Sequence, residues 1–259
     1  MNSPEKPILR PHRRVIEPPE PDAAKLKLHI FRNAEIVAQQ AAAFIAEHAR
    51  QMAKLQDRFV LALSGGATPR QMFKQLAIEN MPWDRLHIVQ TDERVAPAGD
   101  AARNFSLLQA NFLTHNRVRP QQIYPMPVEM HDLKMAARNY AGVLEHLGGS
   151  PPVLDLVHLG LGADGHTASL VPGDPVLHAM DADVALTDLY QGHRRMTLTY
   201  PIISRARCIL WLVTGSAKSD MLARLYNDDT TIPAGRIARD RAVVFADQAA
   251  AVRLETSTQ

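Results

Sequence analysis

The sequence predicts an α/β fold, three layers deep (α/β/α), around one open and mostly parallel sheet. Two observations carry this expectation. Apolar runs such as Phe59-Val60-Leu61-Ala62-Leu63 and Cys208-Ile209-Leu210-Trp211-Leu212-Val213 lack the alternation of a strand wetted on one side, so both faces must be covered. Segments of helical periodicity separate these runs, and a regular β-then-α order is what a parallel sheet with crossover helices requires. At 259 residues, 46% hydrophobic and 22% charged, the chain has ample material for such a core.

The elements follow in order. Residues 1–24 scatter Pro4, Pro7, Pro11, Pro18, Pro19 and Pro21 among charges, which predicts an extended, largely disordered tail ahead of a single domain over 25–259. Leu26-Lys27-Leu28-His29-Ile30-Phe31 alternates like a half-buried edge strand. Asn33 is placed to cap a helix whose inner face carries Val37, Ala41, Phe44, Ile45, Met52 and Leu55. After the strand at 59–63, Thr68 suits a helix N-cap and Pro69 the first turn of a helix over 69–78. A strand over 86–90, a helix over 104–115, a short strand near 122–125 and a helix over 131–147 come next. The run Val153-Leu154-Asp155-Leu156-Val157-His158-Leu159 is a buried strand, and shorter strands are expected near 183–187 and 196–200. A strand over 207–214, a helix over 216–226 and a strand over 242–246 complete the sheet.

Composition narrows the function. The chain has 29 basic and 27 acidic residues, a net charge of +2, and no basic run long enough for a nucleic-acid surface. Arg10-Pro11-His12-Arg13-Arg14 reads as part of a solvated tail. No stretch reaches the roughly 18 apolar residues of a membrane span, and the N-terminus lacks the apolar core of a secretory signal. The single cysteine, Cys208, has no partner for an internal disulfide and reads as a core thiol in a reducing compartment. A cytoplasmic monomer without nucleic-acid or membrane partners is the expectation.

Three motifs, each just after an expected strand, carry the chemistry. Ser64-Gly65-Gly66-Ala67-Thr68-Pro69 combines paired glycines with a helix start, so its free N–H groups and the helix dipole suit an anion cup; the alternative is a tight strand-to-helix turn with no ligand. Gln90-Thr91-Asp92-Glu93-Arg94 sends three consecutive ionisable residues out of a buried strand; they must find partners, form a surface turn or tie a loop down. Gly160-Leu161-Gly162-Ala163-Asp164-Gly165-His166 sets an acid two residues before a histidine in a glycine turn, where the acid can orient the ring or raise its basicity. Arg195 and Lys218 stand near other strand ends and could add positive charge.

Gly160, Gly162 and Gly165 also spell a dinucleotide fingerprint, with Asp183 about 20 residues on where a ribose-binding acid belongs. Asp164 argues against it, because a carboxylate would face the pyrophosphate. So does Pro172-Gly173, which interrupts the helix that must point at the phosphates. No Gly-x-Ser-x-Gly elbow or His-Glu-x-x-His spacing is present. What remains is water activated by His166, or proton shuttling on a bound sugar.

Ser-Gly-Gly-Ala-Thr-Pro at 64–69, Thr-Asp-Glu-Arg at 91–94 and the stretch from Gly160 through Asp164-Gly165-His166-Thr167-Ala168-Ser169 to Pro172-Gly173 together resemble the 6-phosphogluconolactonases. Arg195 with Thr197-Leu198-Thr199, and Val213-Thr214-Gly215 with Lys218, continue the resemblance, which spans roughly residues 26–250. It implies a modified Rossmann-like, NagB/RpiA-type fold without metal or organic cofactor. It also implies hydrolysis of 6-phospho-D-glucono-1,5-lactone to 6-phosphogluconate in the oxidative pentose phosphate pathway. Under it His166 is the base that activates water, Asp164 orients that histidine, and Arg94 stabilises developing charge or holds the substrate. Asp92 would bind sugar hydroxyls or steady Arg94, while Gly65, Gly66, Thr68, Arg195 and Lys218 receive the 6-phosphate. The related amino-sugar phosphate isomerase/deaminase turn carries a proton-relaying Glu where Val171 stands here, and commonly a Tyr at the position of Arg94. A catalytically silent sugar-phosphate-binding regulator is the third reading; it would not require a base.

Overall fold

The structure is a computed structural model and describes residues 26–115 and 117–254. The expected tail at 1–24 lies outside the described residues. The chain runs β1 (Lys27–Phe31), α1 (Ala34–Met52), β2 (Phe59–Leu63), α2 (Pro69–Ala77), β3 (Leu86–Gln90), β4 (Asp92–Arg94), α3 (Asn104–Asn111), β5 (Ile123–Tyr124) and α4 (Leu133–Gly148). It continues through β6 (Leu156–Gly160), β7 (Val184–Leu186), β8 (Arg195–Leu198), α5 (Tyr200–Arg205), β9 (Ile209–Val213), α6 (Ser219–Tyr226), β10 (Ala242–Asp247) and α7 (Gln248–Ala251).

Seven strands form one parallel sheet in the order β1-β10-β9-β6-β2-β3-β5. The period-two geometry of β2 sends Phe59, Leu61 and Leu63 to one face, against α1 and α2, and Val60 and Ala62 to the other. Both faces are dry, which is why these strands are apolar without alternation. Each fully buried side chain of the Phe59 or Leu61 kind contributes about 1.5–3 kcal/mol by leaving water. β1 takes the edge, as its alternation predicts, and Asn33 caps α1 by accepting the Ile36 N–H at 3.0 Å. Leu55 does not join the inner face of α1; the helix ends at Met52 and leaves Leu55 79% exposed.

From β2 the chain moves outward to β3 and β5, whereas from β6 it moves the opposite way to β9 and β10. The crevice between the carboxyl ends of β2 and β6 is therefore a topological switch point, where open α/β sheets bind their ligands. The turns after β2 and β6 are the two glycine motifs.

A second sheet, β4-β8-β7, is antiparallel and was not expected from the sequence. β8 also stops at Leu198 rather than running to 200. Pro201 occupies the first turn of α5, with Thr199 extended ahead of it, and a proline suited to a helix start ends the strand. Likewise α3 ends at Asn111, and a short 3-10 turn covers 113–115.

Candidate active site

The Ser64–Pro69 turn is pinned from beneath. Ser64 N–H donates to Nδ1 of His158 at 3.3 Å, and Ser64 Oγ donates to the His158 carbonyl at 2.9 Å. Burial pushes the His158 pKa down to about 3, so its ring is neutral and can accept that bond. Gly65 packs on Asn104 so closely that a Cβ would overlap the Asn104 side chain. Gly66 takes φ +115, a conformation that glycine alone adopts easily. Pro69 opens α2 as expected, but Thr68 does not cap it: Thr68 is itself helical, and its hydroxyl faces that of Thr214 at 3.4 Å.

The Asp92-Glu93-Arg94 run is strand β4, pairing across the second sheet so that Asp92 opposes Thr197, Glu93 opposes Met196 and Arg94 opposes Arg195. Glu93 is fully buried. Its carboxylate accepts the backbone N–H groups of Arg94 (2.8 Å), Asn104 (2.7 Å) and Phe105 (2.9 Å) and the side chain of Gln90 (2.9 Å), with Arg103 Nε at 3.4 Å. It thereby satisfies the first turn of α3 and fixes the backbone of its neighbours. Asp92 is 4% exposed and takes bonds from Ser169 Oγ at 2.8 Å and Thr91 Oγ1 at 3.1 Å. Arg94 donates to the Ala102 carbonyl at 2.7 Å, and among the described residues no ion pair joins it to Asp92.

The third motif folds back on itself. Gly162 N–H donates to the His166 carbonyl at 2.8 Å, and Gly165 turns the chain with φ +84. Asp164 Oδ1 then lies 2.6 Å from His166 Nδ1 and 3.2 Å from His166 N, while Tyr190 donates to Asp164 Oδ2 at 2.7 Å. Partial burial opposes the Asp164 charge, yet the Tyr190 bond, the His166 charge and the His166 bonds outweigh it and hold its pKa at about 2. An ionised Asp164 accepts Nδ1–H, so the neutral imidazole carries its lone pair on Nε2. Burial, then the bond to Asp164 and its charge, push the Tyr190 phenol up to about 12, so it remains a donor.

These loops enclose a cleft of about 250 Å³. Ser64–Pro69 line one wall, and the other walls include Asp92, Arg94, Asn104, His166, Arg195 and Lys218. Arg195 is buried, its charge disfavoured by desolvation and by Arg94; Lys218 is half-buried, disfavoured by desolvation and favoured by Asp164. Asp247 anchors the Lys218 loop by accepting the Gly215 N–H at 3.0 Å. All the expected site residues converge here except Asp164, which stands behind His166. The sequence assigns no individual role to Asn104, Ser169, Glu93 or Tyr190. Ser169 and Glu93 lie within the quoted motifs and Asn104 opens an expected helix, but only the fold shows which way their side chains point.

A family model described as glucosamine-6-phosphate isomerases/6-phosphogluconolactonase matches residues 32–245. The chain belongs to this family. Within the family it is 31% identical over 231 residues to a human 6-phosphogluconolactonase, covering 84% of this chain and 86% of that protein. It is 41% identical over 172 residues to the human GDH/6PGL endoplasmic bifunctional protein, covering 63% of this chain but only 22% of that protein's length. A solved 6-phosphogluconolactonase from Trypanosoma cruzi superposes with a TM-score of 0.80 at 25% identity, over 89% of this chain and 97% of that one. Val171 lies in the interior, 2% exposed and outside the cleft lining. Among the described residues no helix is long and apolar enough to cross a membrane.

Proposed function

We propose that the chain hydrolyses 6-phospho-D-glucono-1,5-lactone to 6-phosphogluconate. One observation carries this reading: an acid-oriented histidine on one wall of a cleft whose other walls hold the Arg94–Arg195 cross-strand pair, Lys218 and the Ser64–Thr68 turn. Two arginines directly opposite on one face of a sheet repel each other, and an anion between them removes that cost. The substrate class comes from the 6-phosphogluconolactonase relatives, and the chemistry of the cleft agrees with it.

In this scheme the phosphate rests on the Gly65–Thr68 N–H groups, Arg195 and Lys218, and its binding places the lactone carbonyl beside His166. Nε2 of His166 removes a proton from water as the oxygen bonds to the carbonyl carbon. The negative charge that develops on the carbonyl oxygen faces Arg94, a donor already fixed by Ala102. Collapse of the tetrahedral intermediate breaks the ring C–O bond, and the imidazolium returns its proton to the departing oxygen. The products are the open-chain hydroxyl and a carboxylic acid, which ionises. Asp164 keeps the ring in the tautomer that leaves Nε2 free, and Asp92, rigidly held, receives sugar hydroxyls. A cytoplasmic setting is part of the same proposal, supported by the lone cysteine, Cys208, being buried with its thiol pushed up to about 12.

The test is hydrolysis of freshly made lactone in a pH-stat or dehydrogenase-coupled assay, corrected for spontaneous opening. His166→Ala should lower kcat by about 100- to 10,000-fold, the range of a positioned acid–base group, with the fold intact. Near-normal turnover in that variant would remove His166 from the role of base.

A further inference from the structure

The turn between β7 and β8 holds a side chain that the scheme above does not use. Tyr190 donates to Asp164 Oδ2 at 2.7 Å while Oδ1 of the same carboxylate faces His166 Nδ1 at 2.6 Å. Both oxygens are thereby committed. The Tyr190 hydroxyl lies 3.4 Å from His166 Nδ1 and accepts the Gln191 amide at 3.1 Å. Its ring meets the His166 ring edge-on, with centroids 5.7 Å apart, and on its face sits the Arg195 guanidinium, 4.9 Å from the centroid. Arg195 also donates to Gln191 Oε1 at 3.4 Å, and Gln191 takes a left-handed φ of +49 within the turn that Tyr190 and His193 close. One side chain thus touches the acid–base pair and the arginine of the anion wall.

We propose that Tyr190 is a positioning residue, fixing the Asp164–His166 pair through its hydroxyl and Arg195 through its ring. This rests on the lactonase reading. The Asp164 side chain is 39% exposed, so solvent competes for any oxygen the protein leaves free, and a carboxylate torsion is intrinsically broad. The Tyr190 hydroxyl removes that freedom and aims Oδ1 at the imidazole. Arg195 is desolvated and among the described residues its Nε meets no hydrogen-bond acceptor, so the aromatic face and Gln191 define where its charge stands. The two halves of the side chain therefore act on different constants: the hydroxyl on kcat and the ring on KM.

The experiment uses the full chain with Tyr190→Phe, Tyr190→Leu, Asp164→Asn and the Tyr190→Phe/Asp164→Asn double variant, each assayed on fresh phosphorylated lactone. Tyr190→Phe removes one oxygen atom and should lower kcat about 10-fold with little change in KM, the lower end for a lost bond to a charged group. Tyr190→Leu should add a KM increase of about 5-fold, because Arg195 loses its aromatic face. In the Asp164→Asn background, Tyr190→Phe should cost little, since the hydroxyl acts through that carboxylate. Thermal melts check folding; should Tyr190→Leu fail to fold, Tyr190→Trp keeps an aromatic face and should keep KM near the parent value. Full kcat in Tyr190→Phe, or losses that multiply in the double variant, would overturn the inference while leaving the lactonase reading intact. An unmodified protein with no lactonase activity would overturn both.

Discussion

Gly162→Ala adds one carbon to the turn that carries the acid–base pair, and the structure says what that carbon would hit. The backbone at Gly162 lies outside the left-handed region, so alanine is conformationally allowed. Its Cβ would overlap Nδ1 of His166 and stand 2.6 Å from Asp164 Oδ1, where ordinary contact begins at 3.4 Å. The carboxylate must retreat by roughly 0.8 Å and the imidazole by more, and displacement on the order of 1 Å costs about 100-fold in rate. Both obstructing groups are ends of side chains that can turn aside, so the backbone need not move. Replacing glycine also removes unfolded-state entropy, worth about 0.4–1 kcal/mol in favour of the fold. Kcat should therefore fall about 100-fold with an unchanged or slightly raised Tm. Gly165→Ala makes the control: at φ +84, with a Cβ 2.7 Å from the buried Ile232 Cβ, it meets backbone strain and core atoms. About 1–2 kcal/mol of strain plus 1–3 kcal/mol of overpacking should lower Tm by roughly 4–20 °C. The assays are coupled lactone hydrolysis and thermal unfolding of both variants. A Gly162→Ala protein with parental kcat, or one that melts as low as Gly165→Ala, would refute the reasoning.

Arg195→Ala or Lys218→Ala should weaken binding of the phosphorylated lactone by about 1.5–3 kcal/mol, as for a lost charge-assisted bond, while unphosphorylated gluconolactone is nearly indifferent; equal losses on both would show that neither residue reads the phosphate. Asp164, with its pKa at about 2, is ionised well above that value, so its contribution to stability is complete above its ordinary value near 3.9 and is lost as pH falls through about 2. Rate loss between pH 8 and 5 therefore cannot come from Asp164, and the residual rate of His166→Ala should be flat across that interval after background correction. Glucosamine 6-phosphate should yield no ammonia and no fructose 6-phosphate, because the interior Val171 supplies no relay; efficient deamination, measured by ammonia release, would reverse the assignment.

The glycine motifs were legible because their chemistry is local. A turn after a buried strand needs glycine, and a helix start needs Pro69, wherever the rest of the chain goes. The β4–β8 pairing was not legible: its charged residues show no apolar period, and the partner strand lies about a hundred residues away. Hence Arg94 and Arg195, assigned separate tasks from the sequence, turn out to be direct cross-strand neighbours. The partners of Glu93 were not legible for a related reason. Beyond the local donors Arg94 N–H and Gln90, its burial is satisfied by backbone N–H groups of Asn104 and Phe105, which belong to a helix whose position the fold decides. Tyr190 sits in a polar turn with no motif around it. Thr68 was misread because capping was weighed against local propensity alone, whereas its hydroxyl faces Thr214 across the switch point.

The charges of the cleft explain why the two sheets must meet where they do. The parallel sheet alone would offer the backbone N–H groups after β2 and the Asp164–His166 turn after β6, enough to cup an anion near a base. It would not hold cations in fixed positions, since lysines and arginines on flexible turns relax toward solvent. The antiparallel sheet places Arg94 and Arg195 opposite one another on rigid strands, with Glu93 tying down the β4 backbone and Thr197 Oγ1 accepting the Ser169 N–H at 3.1 Å. Ser169 in turn binds Asp92. The Asp164–His166 turn, the β4–β8 strand pair and Asp92 are thus joined through short hydrogen bonds rather than through the core. Desolvation and the nearby Arg94 both disfavour the Arg195 charge, and a phosphate dianion reverses the second effect. Under the proposed lactonase reading, binding energy at the phosphate end is therefore available to hold the lactone carbonyl at His166, the coupling that hydrolysis of a small sugar ring requires.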